Sequence, residues 1–259
     1  MRGAIIGDII GSAFVDNNLD ITDFQLLKPL SAYTDNTITT LSTADAILHN
    51  KDFGETLKQW VRRYPTAGYK APFWDWALSE KKISYVSDGD GAARRISPIG
   101  FAAPSLDWAL EKAEESTIIT HNIPIRIIAS RAYAGAVFLA KQGKSKNDIK
   151  DFIEGQFNYK LDQSLDEIQY QIRTTTDLKT PVPAAVAAFL ASTDFEDAIR
   201  KAVWIGGPSH TIASIAGGIA QAYYNHIPKF FIRKTLNRLN SEMETTLEKF
   251  ESMFLVPVV

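Results

Sequence analysis

Three stretches of the chain are built mostly from small residues: "ASRAYAGAVFLA" at 129–140, "PAAVAAFLA" at 183–191 and "IASIAGGIAQAYY" at 212–224. Alanine is the strongest helix former, and small side chains let helix axes approach closely. A helix that is apolar on every side has to be covered on every side. These stretches therefore predict the inner layer of a helical bundle.

Polar-faced helices that could cover such a layer are also readable. "STDFEDAIRKAVWIGG" predicts a helix with a capping box from Thr193 to Glu196, an apolar face at Phe195, Ile199, Ala202 and Val203, and a stop at Gly206. Ser164 with Glu167 predicts a second box, and Ser145 with Asp148 a third start. Between Phe230 and Phe254, Ile232, Leu236, Leu239, Met243, Leu247 and Phe250 fall at steps of three and four. No run of period-two strands alternates with these helices, so the class is all-α. No repeat, low-complexity tract or linker divides the chain, and one domain over 1–259 is expected. The apolar end "MFLVPVV" is expected to dock internally. In "KAPFWDWAL", Phe73, Trp74 and Trp76 read as packing residues in preference to a pocket wall.

Bulk properties exclude several functions. The formal net charge is −2, which offers no basic excess for nucleic acid or an anionic membrane. Cysteine is absent, which removes disulfides, thiolate nucleophiles and zinc–sulfur sites and fits a reducing, cytoplasmic location. No apolar run reaches the roughly 18 residues that a membrane span needs. The opening "MRGAIIGDIIGSAF" has the look of a signal peptide, but Asp8 interrupts it, and it reads as part of the folded protein.

Polar groups interrupt the apolar pattern at five helix starts: Gly7-Asp8, "YTDNT" from Tyr33 to Thr37, "GDGAARRISPIG" from Gly89 to Gly100, "THNIP" with Thr120 and His121, and "GGPSHT" from Gly206 to Thr211. Taken singly, each has an ordinary explanation. Thr-Asp-Asn before an apolar run is a helix cap, Gly-Asp-Gly is a turn, and a buried Asp8 needs only a hydrogen-bonding partner. As a set they point to a site. Helix N-termini carry free N–H groups and partial positive charge, which suit an anionic ligand.

In order and spacing these segments resemble the ADP-ribosylglycohydrolase family. "GAIIGDIIGSAF" is similar to G-x-x-x-G-D-x-x-G, "YTDNTITTLSTADAIL" to F-[ST]-D-D-T-x-x-T, and "GDGAARRISPIGF" to G-N-G-A-A-M-R-x-x-P-I-G. "THNIP" resembles T-H-x-x-P, and "GGPSHT" stands where the family has G-G-D-[ST]-D-T. The resemblance implies an orthogonal multi-helix bundle that removes ADP-ribose from modified side chains. It also implies two divalent cations, usually magnesium or manganese, between the two aspartate motifs. There they would orient the ribose and help activate water.

The departures fall on those motifs. Pro208 and His210 replace both aspartates of the second motif, and Asn36 replaces one of the first. Val15 stands at an often acidic position, Asp90 replaces Asn, Arg94 replaces Met, and Ile125 follows Pro124 where an acidic residue is common. Of the family's four motif carboxylates only Asp35 remains. Magnesium wants anionic oxygen ligands, and an imidazole suits zinc, nickel or iron better. The charge count rules against two ions, sets a ceiling of one divalent cation on Thr34, Asp35, Asn36, His210 and Thr211, and favours none. Three readings stay open. The first is a binder of ADP-ribose or a related nucleotide with impaired hydrolysis. It would use Asp8, Gly89, Asp90, Gly91, His121, Gly207 and Ser209. The second is a diverged hydrolase acting on ADP-ribosylated protein through His210 or Asp35. The third is a non-catalytic interaction scaffold, its cleft filled by side chains such as Arg94 and Trp74.

Overall fold

The computed structural model describes residues 1–15, 19–20, 23–80, 85–174, 181–254 and 256. Among them are fifteen α-helices and no strand. The first seven are α1 (Arg2–Gly11), α2 (Asp35–Leu48), α3 (Phe53–Arg63), α4 (Ala71–Leu78), α5 (Gly91–Arg94), α6 (Ser97–Ala102) and α7 (Leu106–Ile118). Then come α8 (Pro124–Lys141), α9 (Lys146–Phe157), α10 (Leu165–Thr174), α11 (Val182–Ala191), α12 (Phe195–Ile205), α13 (Ser209–Tyr224), α14 (Lys229–Leu236) and α15 (Ser241–Met253). The all-α expectation holds.

The small-residue helices form the inside. Helix α13 packs against α1, α8, α11 and α12, and nearly every residue from Ser209 to Ala222 is buried. Its contact with α1 is backbone against backbone. Gly3, Gly7 and Gly11 recur every fourth residue and so share one face of α1. A Cβ added to Gly3 would lie 2.2 Å from the Gly217 carbonyl oxygen, and one on Gly7 would lie 2.0 Å from that of Ala213. One on Gly11 would lie 2.5 Å from the His210 Cα. The other side of α1 carries Ile5, Ile6, Ile9 and Ile10, all at most 2% exposed. Burial of each stabilises the fold by about 1.5–3 kcal/mol.

A buried ion pair ties this inner pair to the outer shell. The Arg2 guanidinium donates through Nε (3.0 Å) and Nη2 (2.8 Å) to Oε2 of Glu251 on α15. The Arg2 amide donates to Glu251 Oε1 at 3.0 Å, and the Gly3 amide donates to Gln221 Oε1 of α13 at 2.7 Å. The outer helices are amphipathic as expected: α9 buries only Ile149 and Ile153, and α15 buries Met243, Leu247, Phe250 and Glu251.

Two local expectations shift. The N-cap of α12 is Asp194 and not Thr193. The Asp194 carboxylate accepts from the Asp197 amide at 2.9 Å, while the Thr193 amide donates to the Asp197 carboxylate. The amphipathic stretch 230–254 is two helices. Residues 237–240 separate them, and Asn240 caps α15 by accepting from the Met243 amide at 3.0 Å. The box at Ser164 forms as read, and the helix start read at Ser145 is itself a capping box with Asp148. Within the final tail Val256 is buried in the main core, while Leu255 and residues 257–259 lie outside the described residues.

Candidate functional site

The site is assembled at the start of α2, and its first component is a cap. Thr34 opens the helix, accepting from the Asn36 amide at 3.1 Å. Asp8, fully buried on α1, accepts from both the amide (2.9 Å) and the hydroxyl (2.6 Å) of Thr34. It also accepts from the amide (3.2 Å) and hydroxyl (2.6 Å) of Thr37. The carboxylate thus satisfies two orphan N–H groups of the first turn and faces its partial positive charge. Burial raises the Asp8 carboxyl above its usual range, while the nearby His210 and the two threonines act in the opposite direction. These four bonds give Asp8 a structural role between α1 and α2.

Asp35 is the first residue of α2. Arg94, at the end of α5, grips it with a two-pronged fork: Nη1 to Oδ1 at 3.1 Å and Nη2 to Oδ2 at 3.2 Å. Both side chains are largely buried, at 17% and 16% exposure. A planar guanidinium matches a carboxylate in this geometry, which makes such pairs among the stronger polar contacts. Burial disfavours the Arg94 charge, but Asp35, Asp90 and Asp8 outweigh it and hold the group above its usual pKa. Gly91 makes room, since a Cβ there would lie 3.1 Å from Arg94 Nη2 and 3.3 Å from His121 Cε1.

Beside this pair opens a cleft with a cavity volume of about 50 Å³. One wall is aromatic, with Phe73 and Tyr85 at 6.4 Å between ring centroids. Arg94, Arg95, His121 and Lys70 also line the cleft. Arg95 is 2% exposed, and its hydrogen bonds go to neutral oxygens: the Ser116 carbonyl at 2.6 Å, the Thr120 hydroxyl at 2.9 Å and the Ser116 hydroxyl at 3.4 Å. Burial and Arg94 push its pKa down to about 9, so it is charged at neutral pH. His121 is pushed down to about 2 by burial and by Arg95, Arg94 and Arg126, so it is neutral there. With Lys70, Arg94 and Arg95 against Asp35 and Asp90, the lining carries an excess of positive charge.

The expected site residues divide accordingly. Asp35, Gly89, Asp90, Gly91 and His121 line the cleft together. Asp8, Thr34, Asn36, Gly207, Ser209, His210 and Thr211 are not among its lining residues. The Ser209 hydroxyl donates to the Phe14 carbonyl at 2.9 Å and is fully buried. Gly207 has φ +61°, in the left-handed region, and a Cβ there would meet Ile172 at 2.8 Å. His210 lies within electrostatic reach of Asp8, Asp35 and Arg94, and burial lowers its pKa despite those carboxylates. Trp74 stacks on Tyr69 and Trp76 belongs to a small core with Leu57 and Val61, so of that aromatic cluster Phe73 is the one at the cleft. Lys70, Thr39, Tyr85, Ser87 and Arg95 were not singled out from the sequence. The doubled arginine in "GDGAARR" was the readable signal for Arg95; Tyr85 and Ser87 carry none.

The donors do not fit a pair of divalent cations. Among the described residues no three of His, Asp and Glu converge on one point. The lone motif carboxylate, Asp35, already faces a guanidinium. At roughly 4 Å and an effective dielectric of 20, a divalent ion would gain about 8 kcal/mol from Asp35 and lose about as much to Arg94. The Asp35–Arg94 pair therefore leaves little net attraction to offset dehydration of the ion.

A pH effect follows from His121. Its pKa is below the unfolded value of 6.5, so its contribution to stability is complete above about pH 6.5 and is lost as the pH falls towards 2. Between pH 7.5 and 5 this amounts to about 2 kcal/mol. Urea unfolding of His121→Gln is expected to show a shallower acid slope by about that amount. An unchanged slope would mean that His121 is protonated in the fold.

The comparisons with known proteins agree with this architecture. The family model for ADP-ribosylglycohydrolase matches residues 1–255. A solved structure described as an ADP-ribosylglycohydrolase-related protein complex superposes with a TM-score of 0.72 at 20% identity, covering 98% of this chain and 95% of that one. At that identity the structural likeness supports the fold alone. Together with a family match over almost the whole length, it places this all-α chain in the ADP-ribosylglycohydrolase family.

Proposed function

We propose that the chain binds ADP-ribose or a related nucleotide in the cleft beside Arg94 and that metal-dependent hydrolysis has been lost. The observation that carries this reading is the pairing of an aromatic wall, Phe73 and Tyr85, with three cationic side chains, Lys70, Arg94 and Arg95. A nucleoside diphosphate presents both complements: a base with a π-face and a chain of anionic oxygens. Gly89, Asp90, Gly91 and His121 complete the lining, and neutral His121 can donate or accept without adding charge. Family membership supports the ligand class, since the family acts on ADP-ribosylated substrates. The loss of hydrolysis rests on the donor set: one motif carboxylate, engaged by a guanidinium.

Titration calorimetry with ADP-ribose tests the reading. Single-site binding is expected, weakened by Phe73→Ala about tenfold or more, since stacking of a base on an aromatic ring contributes ~1–3 kcal/mol. No detectable heat at millimolar ligand would remove the nucleotide assignment. Release of free ADP-ribose from an ADP-ribosylated protein would remove the claim that hydrolysis is lost.

A further inference from the structure

Arg94 Nε, Asn36 Oδ1, Asn36 Nδ2 and His210 Nδ1 are buried with no hydrogen-bonding partner. Asn36 adjoins Asp35 on α2, Arg94 is paired with it, and His210 is within reach of its charge. The set mixes donors with acceptors. Arg94 Nε and Asn36 Nδ2 can only donate, Asn36 Oδ1 can only accept, and neutral His210 Nδ1 does one or the other. The Arg94 charge beside these acceptors repels a cation. Of these three residues only Arg94 lines the cleft, so a ligand there meets the set through its guanidinium. Arg94 has five N–H donors and spends two of them on Asp35, leaving the others for a second partner at the cleft wall.

We propose that the Arg94 guanidinium is the resident cation of this centre, standing where the family places divalent ions, and that it recognises the hydroxyl-bearing sugar and its phosphate directly. Ligand binding is then independent of divalent metal. Asp35 acts as a positioning residue that fixes the guanidinium plane, and Gly91 keeps the space that the fork occupies. This rests on the nucleotide reading above for the identity of the ligand, though not for the exclusion of metal.

Calorimetry with ADP-ribose in EDTA and again in excess magnesium tests it, with manganese binding to the ligand-free protein followed by electron paramagnetic resonance. The affinity for ADP-ribose is expected to be the same in both buffers, and no bound manganese is expected. Arg94→Met is expected to weaken ADP-ribose by about tenfold or more with helicity retained, and Arg94→Lys to recover part of the loss. Binding that requires magnesium, or Arg94→Met binding as tightly as the wild type, would overturn the proposal. So would stoichiometric manganese on the wild-type protein. If ADP-ribose binds in neither buffer, the nucleotide reading fails, and the manganese measurement alone decides whether Arg94 is the resident cation. Should Arg94→Met fail to fold, the wild-type comparison of the two buffers still decides the matter.

Discussion

Gly7→Val is expected to abolish the native fold. A Cβ at Gly7 would lie 2.0 Å from the Ala213 carbonyl oxygen, 2.4 Å from its carbon and 2.8 Å from the Ser214 nitrogen. All three are backbone atoms of α13, so no rotamer change relieves the clash, and the two helices have to separate. Their contact runs the length of α1 and includes Gly3 and Gly11, so separation at Gly7 also opens both ends. Overpacking a core costs about 1–3 kcal/mol where side chains can yield; here they cannot, and the cost lies above that range. Gly155→Ala is the matched control. It lies in α9, has nothing within 4 Å of an added Cβ, and is expected to gain about 0.5–1 kcal/mol. Circular dichroism and urea unfolding of the two variants should diverge in sign. Native-like stability of Gly7→Val would show that α1 and α13 do not touch as described.

The second large effect is expected at Glu251. Glu251→Ala leaves the Arg2 guanidinium buried without its counter-charge and removes the acceptor for the Arg2 amide. Breaking a buried pair from one side costs about 3–5 kcal/mol. Replacing both partners with apolar residues of similar volume, as in Arg2→Met with Glu251→Leu, is expected to restore part of that loss, because the guanidinium is no longer stranded while the Arg2 amide still lacks its acceptor. A double variant as unstable as Glu251→Ala would assign the damage to the orphaned amide and lost packing.

The sequence disclosed the architecture through local patterns. All-round apolarity marked α8, α11 and α13 as interior, and steps of three and four marked α15 as a surface helix. Errors arose where local signals compete. Ser192, Thr193 and Asp194 are three consecutive residues able to cap a helix, and only the chain direction entering α12 selects Asp194. Asn240 starts a new helix within an unbroken amphipathic stretch because its side chain satisfies a helix start as well as it would sit in one. At the site, Asp35, Gly91 and His121 were visible as polar interruptions. The substitutions Asn36, Pro208 and His210 were visible only against the family's motifs. The fork between Asp35 and Arg94 was not visible, because a pairing across 59 positions leaves no periodic trace. Lys70 and Tyr85 reach the cleft for the same long-range reason.

That fork is also where the chemistry of the centre is decided. A crystal soaked in manganese chloride and measured close to the manganese absorption edge gives the most direct reading of it. The anomalous map is expected to be featureless around Asp35, with Arg94 still holding both carboxylate oxygens. A manganese peak bonded to Asp35, with the guanidinium displaced, would contradict the replacement of metal by arginine.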